Sequence, residues 1–477
     1  MHKSTGSLLF VLTLMLVSAS AARADITRPN ILFIAVDDLK PLTGHYGNQK
    51  VRTPTIDELA SQSMVFTRAY TQYPVCGPSR TSLLTGLRPE SNGVLNLKTR
   101  MRDINPDIIT LPQFFKNNGY QTAAVGKIFD PRNVDSRDDD DPASWSVHYK
   151  KPQGVVDKKG EPNFAVKAID APAKQFIDGN INKRGIDLLG KMAADPRPFF
   201  LAVGYKKPHL PFVAPKKYFD LYERTDFKLE TYQNAPRESN PDYIMNKNNE
   251  LRSYKPTASD GVGAGEYSVE GLTRDQQQEL LHGYYAAVSF IDSLIADLLN
   301  ELEASGKAEN TIIVFWGDHG FHLGDHGLWG KHTTMEQANR VPLMIHVPGK
   351  KGGNASTLVE LLDLFPTLLE LTGFKAPADL QGKSLVEVLS DQSIDLGDVA
   401  ISQYKRKGAY GYSMRTQRYR YTEWVTEDGK VAYRDLFDLQ NDPGETFNIG
   451  KLPESQALMD SMATLLRENS VGLKRLH

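Results

Sequence analysis

A single cysteine, Cys76, stands among 477 residues, so no internal disulfide can close. Burial of apolar surface must hold the fold, and a chain of this length can supply it in one large domain plus a small one. Past the N-terminus no apolar run reaches the ~20 residues of a membrane-spanning helix. Neither charge sign is in excess: 56 Lys and Arg face 58 Asp and Glu, a formal net charge of −2. That balance gives no sign of a nucleic-acid or membrane-surface partner. Internal repeats and low-complexity segments are missing as well.

The N-terminus has the parts of a secretory signal. His2 and Lys3 make a short basic start, Leu8 to Val17 an apolar run, and Ala22-Arg23-Ala24 a small-x-small cleavage site. Residues 1–24 are therefore expected to be removed and the mature chain exported, to a periplasm or beyond. The cleavage site carries no cysteine, which argues against a lipid anchor.

Four apolar runs each end in residues of distinctive chemistry. Ile31 to Val36 ends in Asp37-Asp38, and Gln121 to Val125 in Gly126-Lys127. Phe199 to Val203 leads through Gly204-Tyr205 to Lys206-Lys207-Pro208-His209. Thr311 to Trp316 ends in Gly317-Asp318-His319-Gly320. Such runs read as strands buried on both faces, with helical stretches between them at Thr55–Thr67, Leu111–Asn118, Lys183–Ala194, Thr273–Ser305 and Leu358–Thr372. The pattern predicts an α/β fold with a mostly parallel sheet, whose ligands gather at the carboxyl ends of the strands. Long loops are expected over 130–175 and 237–271. From about Gly397 the character changes: Gly411 to Trp424 and Val431 to Leu439 read as strands of a small antiparallel sheet, turned at Asp428-Gly429. The expected division is residues 25–392 for the catalytic domain and 393–477 for a C-terminal subdomain.

Cys76 opens a helix in Val75-Cys76-Gly77-Pro78-Ser79-Arg80, where Pro78 suits the first turn. A side chain there meets unpaired N–H groups and the positive end of the dipole. Arg80, four residues on, shares its helix face. A lone cysteine is most often a small buried hydrophobe; the full motif points elsewhere. The adjacent Asp37 and Asp38 repel unless a cation lies between them. With Asp318 from another strand end they form a hard oxygen donor set, suited to Ca²⁺ or Mg²⁺.

The stretch Cys76-x-Pro78-Ser79-Arg80, followed by Leu84-Thr85-Gly86, resembles the signature of type I sulfatases. That resemblance implies an alkaline-phosphatase-like sheet flanked by helices. It also implies that a formylglycine-generating or sulfatase-maturing enzyme oxidises Cys76 to Cα-formylglycine, whose hydrated aldehyde attacks sulfur and later expels sulfate. By the same resemblance Asp37, Asp38, Asp318 and His319, with residue 76, bind Ca²⁺. Arg80 holds the nucleophile, Lys127 and Lys331 surround the sulfate, and His209 is the general acid, a role Lys331 could share. His322, His326 and His332 are given no direct part.

Further segments resemble iduronate-2-sulfatase and its bacterial relatives over nearly the whole mature chain. They include Val36-Asp37-Asp38-Leu39-Lys40-Pro41, Lys206-Lys207-Pro208-His209, Asp318-His319-Gly320 and Gly411-Tyr412-Ser413-Met414-Arg415-Thr416. The implied substrate is a sulfated carbohydrate, such as a 2-O-sulfated uronate of a glycosaminoglycan or an algal polysaccharide. One departure concerns Asp130, which stands where those enzymes carry His shortly after Val-Gly-Lys. A carboxylate there should repel sulfate unless it turns away or pairs with Arg132. Arg100 and Arg102 are candidate contacts for a sugar carboxylate. The alternatives are a phosphate or phosphonate ester hydrolase of the same superfamily, or a sugar-binding relative with an unmodified Cys76.

Overall fold

The run Asn30–Val36 is buried at every position and forms an interior strand of a seven-stranded sheet. The computed structural model describes residues 28–134, 140–156, 163–255, 271–397 and 399–474, so the expected signal segment lies outside the described residues. In chain order the sheet's strands are β1 (Asn30–Val36), β2 (Met64–Phe66), β3 (Gln121–Gly126), β4 (Phe199–Tyr205), β5 (Thr311–Gly317), β6 (Leu343–His346) and β7 (Gly353–Ala355). In space they run β7-β2-β6-β5-β1-β4-β3. Only β6 runs antiparallel to its neighbours. This is the mixed, mostly parallel α/β sheet that the apolar runs predict.

Both faces are covered. Among the helices are α1 (Pro54–Ser61), α2 (Cys76–Thr85), α3 (Leu111–Asn117), α4 (Ile177–Ala193), α5 (Asn249–Arg252), α6 (Arg274–Ala304), α7 (Leu364–Leu371) and α8 (Gln456–Asn469). Successive strand residues point to opposite faces. Leu32, Ile34 and Val36 therefore meet Leu188 of α4 and Leu294 and Leu298 of α6 in one core. Ile31, Phe33 and Ala35 meet Leu83 of α2, Phe115 of α3 and Leu368 of α7 in the other. Among the described residues no helix is long and apolar enough to cross a membrane.

The C-terminal part is a four-stranded antiparallel meander: β8 (Ala400–Arg406), β9 (Ala409–Arg415), β10 (Tyr419–Thr426) and β11 (Val431–Asp438). Met459, Ala463 and Leu466 of α8 pack on it against Met414, Tyr421 and Leu436. The sheet also touches the larger body, since Gln403 N–H donates to the Gln72 carbonyl at 2.8 Å.

Several boundaries differ from expectation. Gly411 to Trp424 is two strands, because the chain turns at Thr416, whose N–H donates to the Tyr419 carbonyl at 2.8 Å. Helix α1 stops at Ser61, and Met64–Phe66 enters the sheet instead. The stretch expected to be helical from Leu358 begins with Val359–Glu360 paired to Ala69–Tyr70, and α7 starts only at Leu364. In the two helical cases a long-range strand pairing overrides local helical preference.

Gly126 closes β3 with φ at +77°, and a Cβ there would lie 2.0 Å from the Gly204 carbonyl oxygen. Only glycine lets the chain turn from β3 into Lys127 against the neighbouring strand. Gly126→Ala is expected to destabilise the protein by roughly 1–3 kcal/mol, measured by chemical denaturation. It should also lower turnover, because Lys127 would be displaced.

Candidate active site

The strand register brings the four clusters to one rim. Val36 is level with Tyr205 and Gly317, and Gly126 with Gly204, so Asp37, Lys127, Lys206 and Asp318 leave the sheet side by side. Helix α2 begins at Cys76, directly after the extended Val75, as the sequence predicts. Ser79 ties this helix to the rim by donating to the Asp318 carbonyl, and it accepts from the Thr71 hydroxyl at 2.8 Å.

Arg80 is wholly buried, and its partners are the carboxylates rather than the thiol. Its Nε donates to Asp318 Oδ2 at 2.9 Å, its Nη2 to Asp37 Oδ1 at 3.3 Å, and its Nη1 to the Ile128 carbonyl at 3.1 Å. The guanidinium also lies 5.4 Å from the ring centre of Trp316. Lys127 Nζ donates to Asp37 Oδ2 at 2.6 Å, and Lys331 Nζ reaches both oxygens of Asp38 at 2.8 Å. Burial would raise the Asp37 pKa, yet Lys127 and Arg80 hold it well below the usual carboxylate range. Burial also works against the charged forms of Lys127 and Lys331, but Asp37 and Asp38 respectively keep both protonated. For the Cys76 thiol, burial and Asp37 act together and push its pKa well up, which leaves a protonated and weakly nucleophilic group.

The donor set fits a divalent cation. Ligand atoms of Asp37, Cys76, Asp318 and His319 all lie within 4.8 Å of one another, and Asp37, Asp38, Cys76 and His209 form a second such group. His319 Nδ1 sits 2.9 Å from the Gly320 carbonyl, an acceptor, so Nδ1 carries the hydrogen. The other nitrogen, Nε2, then faces Asp38 Oδ1 at 3.3 Å and Cys76 Sγ at 3.2 Å. In the neutral ring a bare lone pair points at carboxylates, an arrangement a shared cation satisfies. Asp38 itself has φ +60°, and its carbonyl accepts from the Tyr284 hydroxyl at 2.7 Å.

Asp37, Cys76, Lys127 and Lys331 floor a cleft of about 610 Å³ walled by Phe129, Tyr149, Lys206, Lys207 and Glu250. His209 projects into it from the segment after β4, with Nδ1 donating to the Leu210 carbonyl at 2.7 Å. Asp130 is on the wall too, and its charge is compensated: Arg132 donates to its two oxygens at 2.8 and 2.7 Å, and Lys127 lies at 3.6 Å. Burial would raise the Asp130 pKa, but those two cations hold it below the usual range. The pairing with Arg132 is one of the two arrangements that would spare a sulfate from repulsion.

Arg100 and Arg102, expected as contacts for a sugar carboxylate, do not line this cleft. They line a separate side cavity, where Arg102 makes a bidentate pair with Asp141 at 2.6 and 2.8 Å and also donates to Gln113. In the His-rich loop, His322 is fixed between Asp325 and Thr333, and His326 between the Asn234 and Gly444 carbonyls. His332, given no part from sequence, lines the cleft; burial and Lys331 push its pKa down to about 3, so it is neutral. Glu250 was missed. It comes from the polar run Asn246-Lys247-Asn248-Asn249, which follows no strand, and the only sequence signal was the length of its loop.

This geometry belongs with a match to the sulfatase family over residues 29–374. A second match, to the C-terminal part of N-sulphoglucosamine sulphohydrolase, spans residues 324–471. The chain is a member of the sulfatase family, and so a sulfuric ester hydrolase. Among particular relatives, it is 32% identical to mouse iduronate 2-sulfatase over 94% of this chain and 95% of that protein. The human iduronate 2-sulfatase is also 32% identical, over 88% and 89%, and a Formosa agariphila sulfatase 31%, over 93% and 87%. In fold the chain is similar to a protein solved with its substrate D-glucosamine-2-N,6-O-disulfate, with TM-score 0.76, 23% identity, and 94% and 99% of the two chains covered. It is likewise similar to the phosphonate monoester hydrolase of Agrobacterium radiobacter, with TM-score 0.74, 21% identity, and 93% and 95% covered.

Asp130→Asn should destabilise the protein by about 1–3 kcal/mol near neutral pH, because it removes the negative charge and one of the two acceptor oxygens that Arg132 uses, and the anion beside Lys127. Because the folded pKa of Asp130 lies below its ordinary 3.8, its contribution is complete above that value. The gap between wild type and variant should therefore narrow as pH falls below it, read from urea denaturation at each pH.

Proposed function

We propose that the chain is an exported carbohydrate sulfatase that removes the 2-O-sulfate of a uronate, working with Ca²⁺ and with Cys76 converted to Cα-formylglycine. The observation that carries this reading is the convergence of Lys127, Lys331 and His209 around residue 76, over three buried carboxylates, in one cleft. The uronate rests on the similarity to the mouse and human iduronate 2-sulfatases and on the cations Lys206, Lys207 and Arg132 in the cleft wall.

Asp37, Asp38, Asp318 and His319, with residue 76, would hold the cation. When bound, it polarises a sulfate oxygen, and the hydrated aldehyde supplies the attacking hydroxyl. The protein's own groups do the rest. Three carboxylates face Arg80, Lys127 and Lys331, so the cluster is close to neutral before a divalent cation adds the charge that attracts an anionic ester. Lys127 and Lys331 lie where they can stabilise charge on non-bridging oxygens. His209 has Nδ1 committed to a backbone carbonyl, so Nε2 is the atom that gives a proton to the departing alcohol oxygen. Cys76 is 1% exposed, so the maturing enzyme would have to reach it before the chain folds around it.

Tryptic mass spectrometry of the protein co-produced with a maturing enzyme should find an aldehyde in place of the thiol at residue 76. That material should hydrolyse a para-nitrophenyl sulfate faster than the matched phosphate, and Cys76→Ala should abolish turnover. An intact thiol in active protein, or faster phosphate hydrolysis, would overturn the reading. Removal of Ca²⁺ by a chelator is expected to stop turnover and lower the melting temperature by several degrees, with both restored on adding Ca²⁺, since a ligand that binds only the folded state stabilises it.

A further inference from the structure

The described carboxylates lining the cleft are Asp37, Asp130 and Glu250. The first faces Arg80 and Lys127, and the second is held by Arg132. Glu250 divides its two oxygens between the candidate proton donors. Oε1 lies 3.1 Å from His209 Nε2, and Oε2 lies 3.2 Å from Lys331 Nζ. It is thus a single carboxylate between an imidazole and an ammonium group that arrive from distant parts of the chain.

This is a built arrangement rather than a chance surface contact. Glu250 sits on the short helix α5, next to Leu251, which is 1% exposed. The approach to α5 is tied to the loop that carries Lys331. Asn246 donates to the Lys331 carbonyl, and Asn248 donates to the Gly327 carbonyl at 3.1 Å and accepts from Trp329 N–H at 2.9 Å. The Glu250 side chain is 25% exposed, so it faces the cleft where an ester would enter. His209 is pinned on its far side by the Leu210 carbonyl, so Glu250 meets the one ring nitrogen left for the substrate.

We infer that Glu250 is the positioning residue for proton transfer to the leaving group. It fixes the His209 ring with Nε2 in the cleft beside Lys331, at the place the departing oxygen must occupy. As the ester binds, that oxygen replaces Oε1 at Nε2, while Oε2 stays on Lys331. As sulfur passes to the attacking hydroxyl oxygen at residue 76, whose proton goes to solvent, the S–O bond to the sugar breaks with its electron pair on the sugar oxygen, and the Nε2 proton moves to it. Alcohol and neutral imidazole result, and a proton taken up from solvent restores the ring. The inference rests on the sulfatase reading given above.

A leaving group that is already a weak base needs little protonation, whereas a poor one needs much. The test therefore compares para-nitrophenyl sulfate with phenyl sulfate for matured wild type, Glu250→Gln and Glu250→Ala. For Glu250→Ala, kcat on phenyl sulfate is expected to fall about tenfold more than on para-nitrophenyl sulfate. Glu250→Gln keeps the length and an acceptor oxygen and should recover part of that difference. Melting temperatures check folding, and if the alanine variant does not fold, the glutamine variant alone must show the leaving-group dependence. Equal losses on both esters, or none, in folded protein would overturn the inference while the sulfatase reading stands. A matured wild type inert toward both esters would overturn both.

Discussion

Three carboxylates, Asp37, Asp38 and Asp318, are buried together at the rim of the large sheet, and the surroundings are organised to compensate them. Arg80 joins Asp37 to Asp318, Lys127 covers Asp37, and Lys331 covers Asp38. An ionised carboxylate taken out of water without a partner costs several kcal/mol, so each of these cations is a structural requirement before it is a chemical one. Under the proposed function the same compensation prepares the site, since a neutral, desolvated cluster would accept a divalent cation and then an anionic ester.

The fold serves this cluster through register. Parallel neighbours β3, β4, β1 and β5 end at one level, so residues far apart in sequence leave the sheet within reach of each other. Helix α2 then delivers residue 76 at its first turn, with Arg80 one turn on, buried against the strand ends. The C-terminal sheet contributes from the side, where the Tyr404 hydroxyl lies 3.2 Å from His332 Nδ1 beside Lys331. The C-terminal sheet thus braces a residue of the cleft wall from outside the cleft.

Much of this was legible in the residues. Continuous apolar runs over Ile31–Val36 and Thr311–Trp316 marked strands buried on both faces, and the chemistry at their ends marked the rim. The Cys76 motif located the helix start, and its family resemblance named the roles to examine. Legibility failed where a side chain's partner lies far away in sequence, or where the direction a nearby side chain takes decides the pairing. Arg102 read as a substrate contact because nothing nearby announces Asp141, its partner across a turn of the chain. Asp130 read as a possible source of repulsion, and its effect depended on which way Arg132 would fold. Glu250 carried no local signal, because a polar loop looks the same whether it faces solvent or a cleft.

The sequence by itself determined the four strands β1, β3, β4 and β5, the start of helix α2, the acidic and cationic types at the strand ends, and membership of a family. These are local properties, set by side-chain periodicity and by backbone preferences over a few residues. The tertiary structure alone decided the level at which the strands end, the pairing of Arg102 with Asp141, and the seat of Glu250 between His209 and Lys331. Those outcomes depend on strand registers and loop packing between segments tens to hundreds of residues apart, where cooperative long-range contacts outweigh local preference.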